Sequence, residues 1–269
     1  MRATVRRRVH RVSIVAMTAG MLALTLAVTG AAANDTDDAL RQAVERRLAE
    51  QAAVADRVEV SVSNAEVTLA GTLATLWDKE WAIERARETD GVLDVMSDLT
   101  IGMPETDKEL GNAVGQAIVR YPYYSVFDYL DVTVEDGVVT LRGDVTARPD
   151  KPADLYERIA KVRGVQAIVD EIEVLSPGIH DEQLRHRIAR ALFGHPQFDR
   201  YLGLAPRMSI IVRNGYVTLK GVVFDQADRI LAESIARRAY GVVRVMNELE
   251  TRQELLEARE REASAQQKG

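Results

Sequence analysis

One phrase recurs three times in this chain: Val67-Thr68-Leu69-Ala70-Gly71, Val139-Thr140-Leu141-Arg142-Gly143 and Val217-Thr218-Leu219-Lys220-Gly221. A glycine–valine pair follows each copy, Gly91-Val92, Gly164-Val165 and Gly241-Val242, at distances of 20, 21 and 20 residues. A five-residue match can be chance. A match that keeps its downstream partner in register is an internal repeat, and a repeat decides the architecture before any single element does. The repeat steps are 72 and 78 residues. That is too long for a solenoid unit and suits a small domain, so three similar units in tandem are expected.

Within each unit the periodicities change in one order. Apolar residues first recur every four positions: Leu40, Val44, Leu48; Leu110, Val114, Ile118; Leu184, Ile188, Leu192. That spacing is a stripe on one helical face. Thr106-Asp107-Lys108-Glu109 is a capping box at the second of these helices, and Thr36 and Asp181 are the weaker starts of the other two. Strand-like runs follow at 58–62, 130–134 and 208–212. Asp136-Gly137 and Asn214-Gly215 then read as tight hairpin turns, with Asn64-Ala65 a degraded version. Val-Thr-Leu is the return strand, and Gly71, Gly143 and Gly221 mark a close backbone approach or bend. A second helix carries Ala82 and Ala86, Leu155 and Ile159, Ala232 and Ala236, and ends at Gly91, Gly164 or Gly241, read as left-handed C-terminal glycines. A last strand closes each unit. The β-α-β half implies a right-handed crossover between parallel strands. The fold class expected is α+β: three tandem α-β-β-α-β units, each a small mixed three-stranded sheet with two helices on one face.

The ends are simpler. Arg2, Arg6, Arg7, Arg8 and Arg11 precede an apolar run from Val12 to about Val28, and Ala31-Ala32-Ala33 offers small residues for cleavage. This is the pattern of a secretory leader over 1–33, an uncleaved anchor being the alternative. The units then span 34–102, 103–176 and 177–251, with a polar tail over 252–269 read as a frayed helix with a disordered end. Loss of the leader's five arginines takes the formal charge from −6 to −11. So acidic a chain is poorly suited to nucleic acid, which is bound by neutralising phosphates. There is no cysteine, hence no disulfide and no lipid anchor on a thiol.

The opening helix, Asn/Asp-Gly, Val-Thr-Leu-x-Gly, the Ala-rich helix, Gly-Val and a closing strand with Asn247-Glu248-Leu249 together resemble the BON domain of bacterial osmotically inducible periplasmic and nodulation proteins. Asp170-Glu171-Ile172 and Ser97-Asp98-Leu99 are the corresponding closing signatures. The resemblance covers almost the whole chain beyond the leader. It implies a non-enzymatic periplasmic module that contacts phospholipid and supports the envelope under osmotic or other stress, with no cofactor and no catalytic motif to carry over.

Tyr123, Tyr124, Phe127 and Tyr129, with Trp77 and Trp81, are candidate contacts for a lipid surface or an envelope protein. Tyr121, Tyr123, Tyr124, Phe127 and Tyr129 crowd into nine residues of a chain that is only 5% aromatic. A second connector, His195 to Leu202, is a weaker counterpart in unit three. Trp77 and Trp81 lie four apart on one helical face. Tyr and Trp suit a membrane interface, where a ring is buried and its polar tip stays wet; they equally suit a small core or a seam between units. Phe127, with no polar tip, is expected inside, and at least one of Tyr123 and Tyr124 outside. His180, His186 and His195 lack the i, i+4 spacing of a helical metal pair, and no metal site is expected. Neither a nucleophile motif nor a phosphate-binding loop is present. The expectation is a periplasmic phospholipid-binding protein, with a protein–protein scaffold as the alternative.

Overall fold

The computed structural model describes residues 30–103, 106–148, 150–201 and 208–266. Residues 1–29 of the expected 1–33 leader, Pro104-Glu105 of the first linker, Leu202 at the end of the unit-three connector and the last three residues of the tail lie outside them.

Unit one comprises α1 (Gly30–Leu48), a short α2 (Ala52–Ala55), β1 (Val58–Ser63), β2 (Glu66–Leu73), α3 (Leu76–Arg87) and β3 (Asp94–Ile101). Unit two comprises α4 (Asp107–Val119), β4 (Tyr129–Glu135), β5 (Val138–Thr146), α5 (Lys151–Ala160) and β6 (Ala167–Leu175). Unit three comprises α6 (Ile179–Phe193), a 3-10 turn (Pro196–Tyr201), β7 (Met208–Arg213), β8 (Tyr216–Val223), α7 (Gln226–Arg237) and β9 (Arg244–Thr251), and α8 (Arg252–Gln266) follows. Each sheet has the return strand in its centre, antiparallel to the hairpin partner and parallel to the last strand. The three helical stripes are buried, as are Ala82, Ala86, Leu155, Ile159, Ala232 and Ala236. The small residues let the second helix lie close on the sheet.

Four expectations are corrected. First, α1 begins at Gly30, upstream of Thr36, and α6 at Ile179 with Gly178 as its N-cap, so neither Thr36 nor Asp181 starts a helix. Second, the Asn64-Ala65 turn is not degraded: Asn64 and Ala65 have φ of 54° and 62°, as a left-handed hairpin turn requires. Third, Gly91, Gly164 and Gly241 have positive φ but lie three residues past the helix C-caps Glu88, Lys161 and Arg238, in the turn into the last strand. Fourth, the tail is helical to Gln266. Thr251 accepts from the Glu254 amide at 3.2 Å, and Glu254 accepts from the Thr251 amide at 2.7 Å, which is a capping box.

The physical reason the first turn forms is a device present in every unit. An aspartate in the first helix accepts both amides of the hairpin turn. Asp37 takes Asn64 and Ala65 at 2.8 and 3.0 Å; Asp107 takes Asp136 and Gly137, both at 2.9 Å; Asp181 takes Asn214 and Gly215 at 2.6 and 2.9 Å. Charge-assisted bonds of this kind offset the strain of a left-handed alanine. The repeat glycine has a different cause. At Gly143, φ is 146°, and a Cβ would be driven into the Tyr129 carbonyl of the paired strand; Gly71 is in the same position against Arg57.

The closing signature also has a structural meaning. Leu99, Ile172 and Leu249 donate their amides to Ser97, Asp170 and Asn247 at 3.4, 2.9 and 3.3 Å. These residues sit on β3, β6 and β9, which are sheet-edge strands. An amide engaged by its own chain is not offered to another strand.

The units are fused rather than strung. Leu76 and Ile101 of unit one belong to the buried cluster of unit two. The Gln166 side chain donates to the Ile101 carbonyl at 3.2 Å, and Tyr156 hydrogen-bonds Glu80. At the next seam, the Ile210 amide donates to the Val126 carbonyl at 2.7 Å and Ser209 donates to the Asp128 carbonyl at 2.7 Å. The 126–128 segment thus covers the free edge of β7, and Arg213 pairs with Asp144 and Glu173 across the seam. β7 is buried from Met208 to Val212.

Candidate functional site

The aromatic candidates of unit two are mostly interior. Tyr121 is buried and donates to Asp154 at 2.7 Å; burial, then this carboxylate, pushes its hydroxyl up to about 12. Tyr124 packs on the unit-two core, and its hydroxyl accepts the Leu130 amide at 3.2 Å. Phe127 packs on the core of unit three, its ring 4.9 Å from His186. Tyr129 is half-buried on β4 under Lys220, 4.9 Å away, and burial raises its pKa. Only Tyr123 is exposed, at 47%, with Arg148 stacked 3.5 Å from its ring centre. In the unit-three connector, Phe198 and Tyr201 are buried as well.

Trp77 lies in the first seam, packed on the unit-two core with Lys161 4.5 Å from its ring. Trp81 packs on the unit-one core. The candidates are therefore not exposed together, and they make no common contact surface. Two of them, Phe127 and Trp77, pack across a seam onto the neighbouring unit's core, and Tyr124 and Trp81 pack on the cores of their own units. The buried Lys151–Asp128 pair, at 2.9 Å, anchors the same connector, with Ser125 and Thr146 also bonded to the carboxylate.

A different surface is exposed at the tip of unit three, where the hairpin turn meets the turn into β9. Tyr240 is 83% exposed and Val243 64%. The Val243 amide donates to the Gly215 carbonyl at 2.9 Å, which sets the residue beside the hairpin turn and the exposed Tyr216. Arg187 donates to the Tyr240 carbonyl, with its guanidinium 5.7 Å from the Tyr240 ring. His180 lies next to Gly241, and Arg244 pairs with Tyr216 in the β8–β9 register. The tip therefore combines exposed aromatic and aliphatic groups with cations.

The same positions differ in the other units. Unit one has Asp90, Leu93, Asp94 and Glu66 where unit three has Tyr240, Val243, Arg244 and Tyr216; Leu93 is 79% exposed among three acids. Unit two has Gln166, turned into the first seam. Aligning the units on their glycine–valine pairs makes this divergence readable, but the crowding of aromatics at 121–129 is the louder signal and it belongs to packing. Among the described residues, no three His, Cys, Asp or Glu side chains are grouped to hold a metal ion, and no helix is long and apolar enough to cross a membrane.

A family model for the BON domain matches the chain three times, over residues 36–103, 106–176 and 180–253. The chain belongs to the BON domain family. The boundaries of its three BON units follow the sheets, and the matches together span well over half the sequence. No curated protein matches it. Among solved structures, the C-terminal domain of CdsD, a structural protein of the type III secretion system of Chlamydia trachomatis, is 13% identical, with 78% of this chain and 96% of that one covered and a TM-score of 0.24. A second CdsD structure is 14% identical over 82% and 97% of the two chains, again with a TM-score of 0.24. At that distance neither bears on how the three BON units are arranged.

Proposed function

We propose that this protein is a non-enzymatic, periplasmic envelope protein that contacts anionic phospholipid through the tip of its third BON unit and supports envelope integrity under stress. The leader-like N-terminal pattern supports the compartment, and the family resemblance supports the ligand class. The observation that carries the site is the exposed Tyr240, Val243 and Tyr216 with Arg187 and Arg244 beside them, in a chain of net negative charge. An amphipathic ring at the headgroup level and basic residues worth about 1 kcal/mol each near an anionic leaflet are the two forces such a contact needs.

The test is co-sedimentation of the mature protein with phosphatidylglycerol vesicles. Binding is expected at low salt and is weakened by added salt. Tyr240→Ser with Val243→Ser should reduce binding about tenfold or more, since one buried apolar side chain contributes roughly 1.5–3 kcal/mol, while melting is unchanged because both side chains are solvent-facing. Vesicle binding that survives the double change, or that never occurs at low salt, overturns the reading.

A second reading has its own observation. The unit-one tip, with exposed Leu93 between Asp90 and Asp94 in the chain and Glu66 opposite Asp94 in the β2–β3 register, is acidic, which disfavours anionic lipid and suits a basic protein surface. A photo-cross-linker at position 93 that captures one dominant envelope protein would favour that scaffold role.

A further inference from the structure

A cleft of about 390 Å³ opens at the seam between units two and three. One wall is the aromatic connector, with Pro122, Tyr123 and Phe127; the other is α6, with Glu182, Arg185 and His186; Arg148 stands at the rim and Pro177 closes one side. Its size is that of a small-molecule site. It is separate from the tip of unit three.

Its cations are of three kinds. Lys151 is spent on Asp128 and Thr146, to which it donates at 2.9 and 2.7 Å. Arg148 is exposed, stacks on Tyr123 and makes no ion pair among the described residues. Stacking restrains its guanidinium at the cleft wall, and no carboxylate among the described residues takes up its charge. Arg185 is 5% exposed; Nη2 donates to the Val212 carbonyl at 2.9 Å, and Nε has no hydrogen-bond partner. Burial lowers the pKa of this guanidinium, and the nearby Asp181 is committed to the hairpin amides. A buried cation without a hydrogen-bonded counter-charge is costly, and an anion in the adjoining cleft supplies one.

We propose that this cleft binds a small organic phosphate, its phosphoryl group held by Arg148 and Arg185 with His186 as a further donor, and its organic part resting on Pro122, Phe127 and Pro177. Guanidinium donors match phosphate oxygens in geometry and charge, Arg148 offering its fork and Arg185 the donors that Val212 leaves free. The volume exceeds that of the phosphoryl group and admits a three-carbon ester such as glycerol phosphate. The acid on the same wall, Glu182, opposes the ligand and limits its affinity.

The experiment is an NMR titration of the full mature chain at constant ionic strength with glycerol 3-phosphate, inorganic phosphate and, as a carboxylate control, glycerate. Saturable shifts confined to the cleft residues are expected with both phosphates and not with glycerate. Arg148→Ala, a solvent-exposed change that leaves the fold intact, should weaken binding about tenfold, as the loss of one charge-assisted contact does. Arg185→Met should abolish it, and Glu182→Gln should tighten it. Shifts that do not saturate, that glycerate reproduces, or that Arg148→Ala leaves unchanged overturn the assignment. Phosphatidylglycerol vesicles separate the sources. If a lipid headgroup fills the cleft, Arg148→Ala binds vesicles less; if a free ester does, it binds them as before, and in both cases the soluble titration still decides whether the site exists.

Discussion

Replacing Asp181 with alanine removes the acceptor of two turn amides, at 2.6 Å from Asn214 and 2.9 Å from Gly215. The two losses are unequal. Asn214 is exposed, so water replaces the carboxylate there; Gly215 is buried, and its amide is left unpaired. An orphaned buried donor costs about 1–3 kcal/mol. Asp181 also stands near the buried Arg185, whose cation it favours, and this adds to the loss. A total of about 3 kcal/mol is expected for unit three. Because three fused units need not unfold in one step, the readout should be local: hydrogen exchange of β7 and β8 peptides, in which protection falls about a hundredfold, at 1.36 kcal/mol per factor of ten. Asp107→Ala, where the aspartate is only half-buried, should cost unit two less, about 1–2 kcal/mol. Exchange in β7 and β8 that is unchanged by Asp181→Ala would refute the idea that this aspartate holds the hairpin.

Ala65→Gly should stabilise unit one by about 1 kcal/mol in urea unfolding, since alanine at φ 62° carries strain that glycine lacks. Tyr124→Ala with Phe127→Ala should lower stability by several kcal/mol, because both rings pack on cores; unaltered melting with weakened vesicle binding would mean that the rings face lipid instead. Burial and Asp154 raise the Tyr121 pKa from about 10 to about 12, so neutral Tyr121 contributes stability that is fully present below pH 10 and lost as pH rises toward 12. Tyr121→Phe should flatten that alkaline decline.

The repeat, the helical stripes and the central strand were legible because a period of four or two residues reports which face is buried. The turn at Asn64-Ala65 was not, because Ala65 acquires its conformation from Asp37, a residue 28 positions away in another element. The α8 capping box stood in the sequence at Thr251 to Glu254, but its threonine is also the last residue of β9, and a strand-ending residue does not announce a helix. The aromatics were legible as a cluster and illegible as a site. Whether Phe127 meets water, its own core or a neighbour depends on how unit two docks on β7, which no local pattern encodes. Tyr240 is illegible for the opposite reason: it is a single residue, and its meaning comes from standing where unit one has Asp90.

The side-chain brackets at Ser97, Asp170 and Asn247 bear on how such a chain is made. Three homologous sheets emerge from synthesis one after another, and each return strand carries the same Val-Thr-Leu, so a nascent strand could join the wrong sister. At the outer rim of each finished sheet, one backbone donor is already occupied by the residue two places before it. A newly made sibling therefore meets one backbone donor fewer on that rim, a local bias against adding its strand to a completed unit.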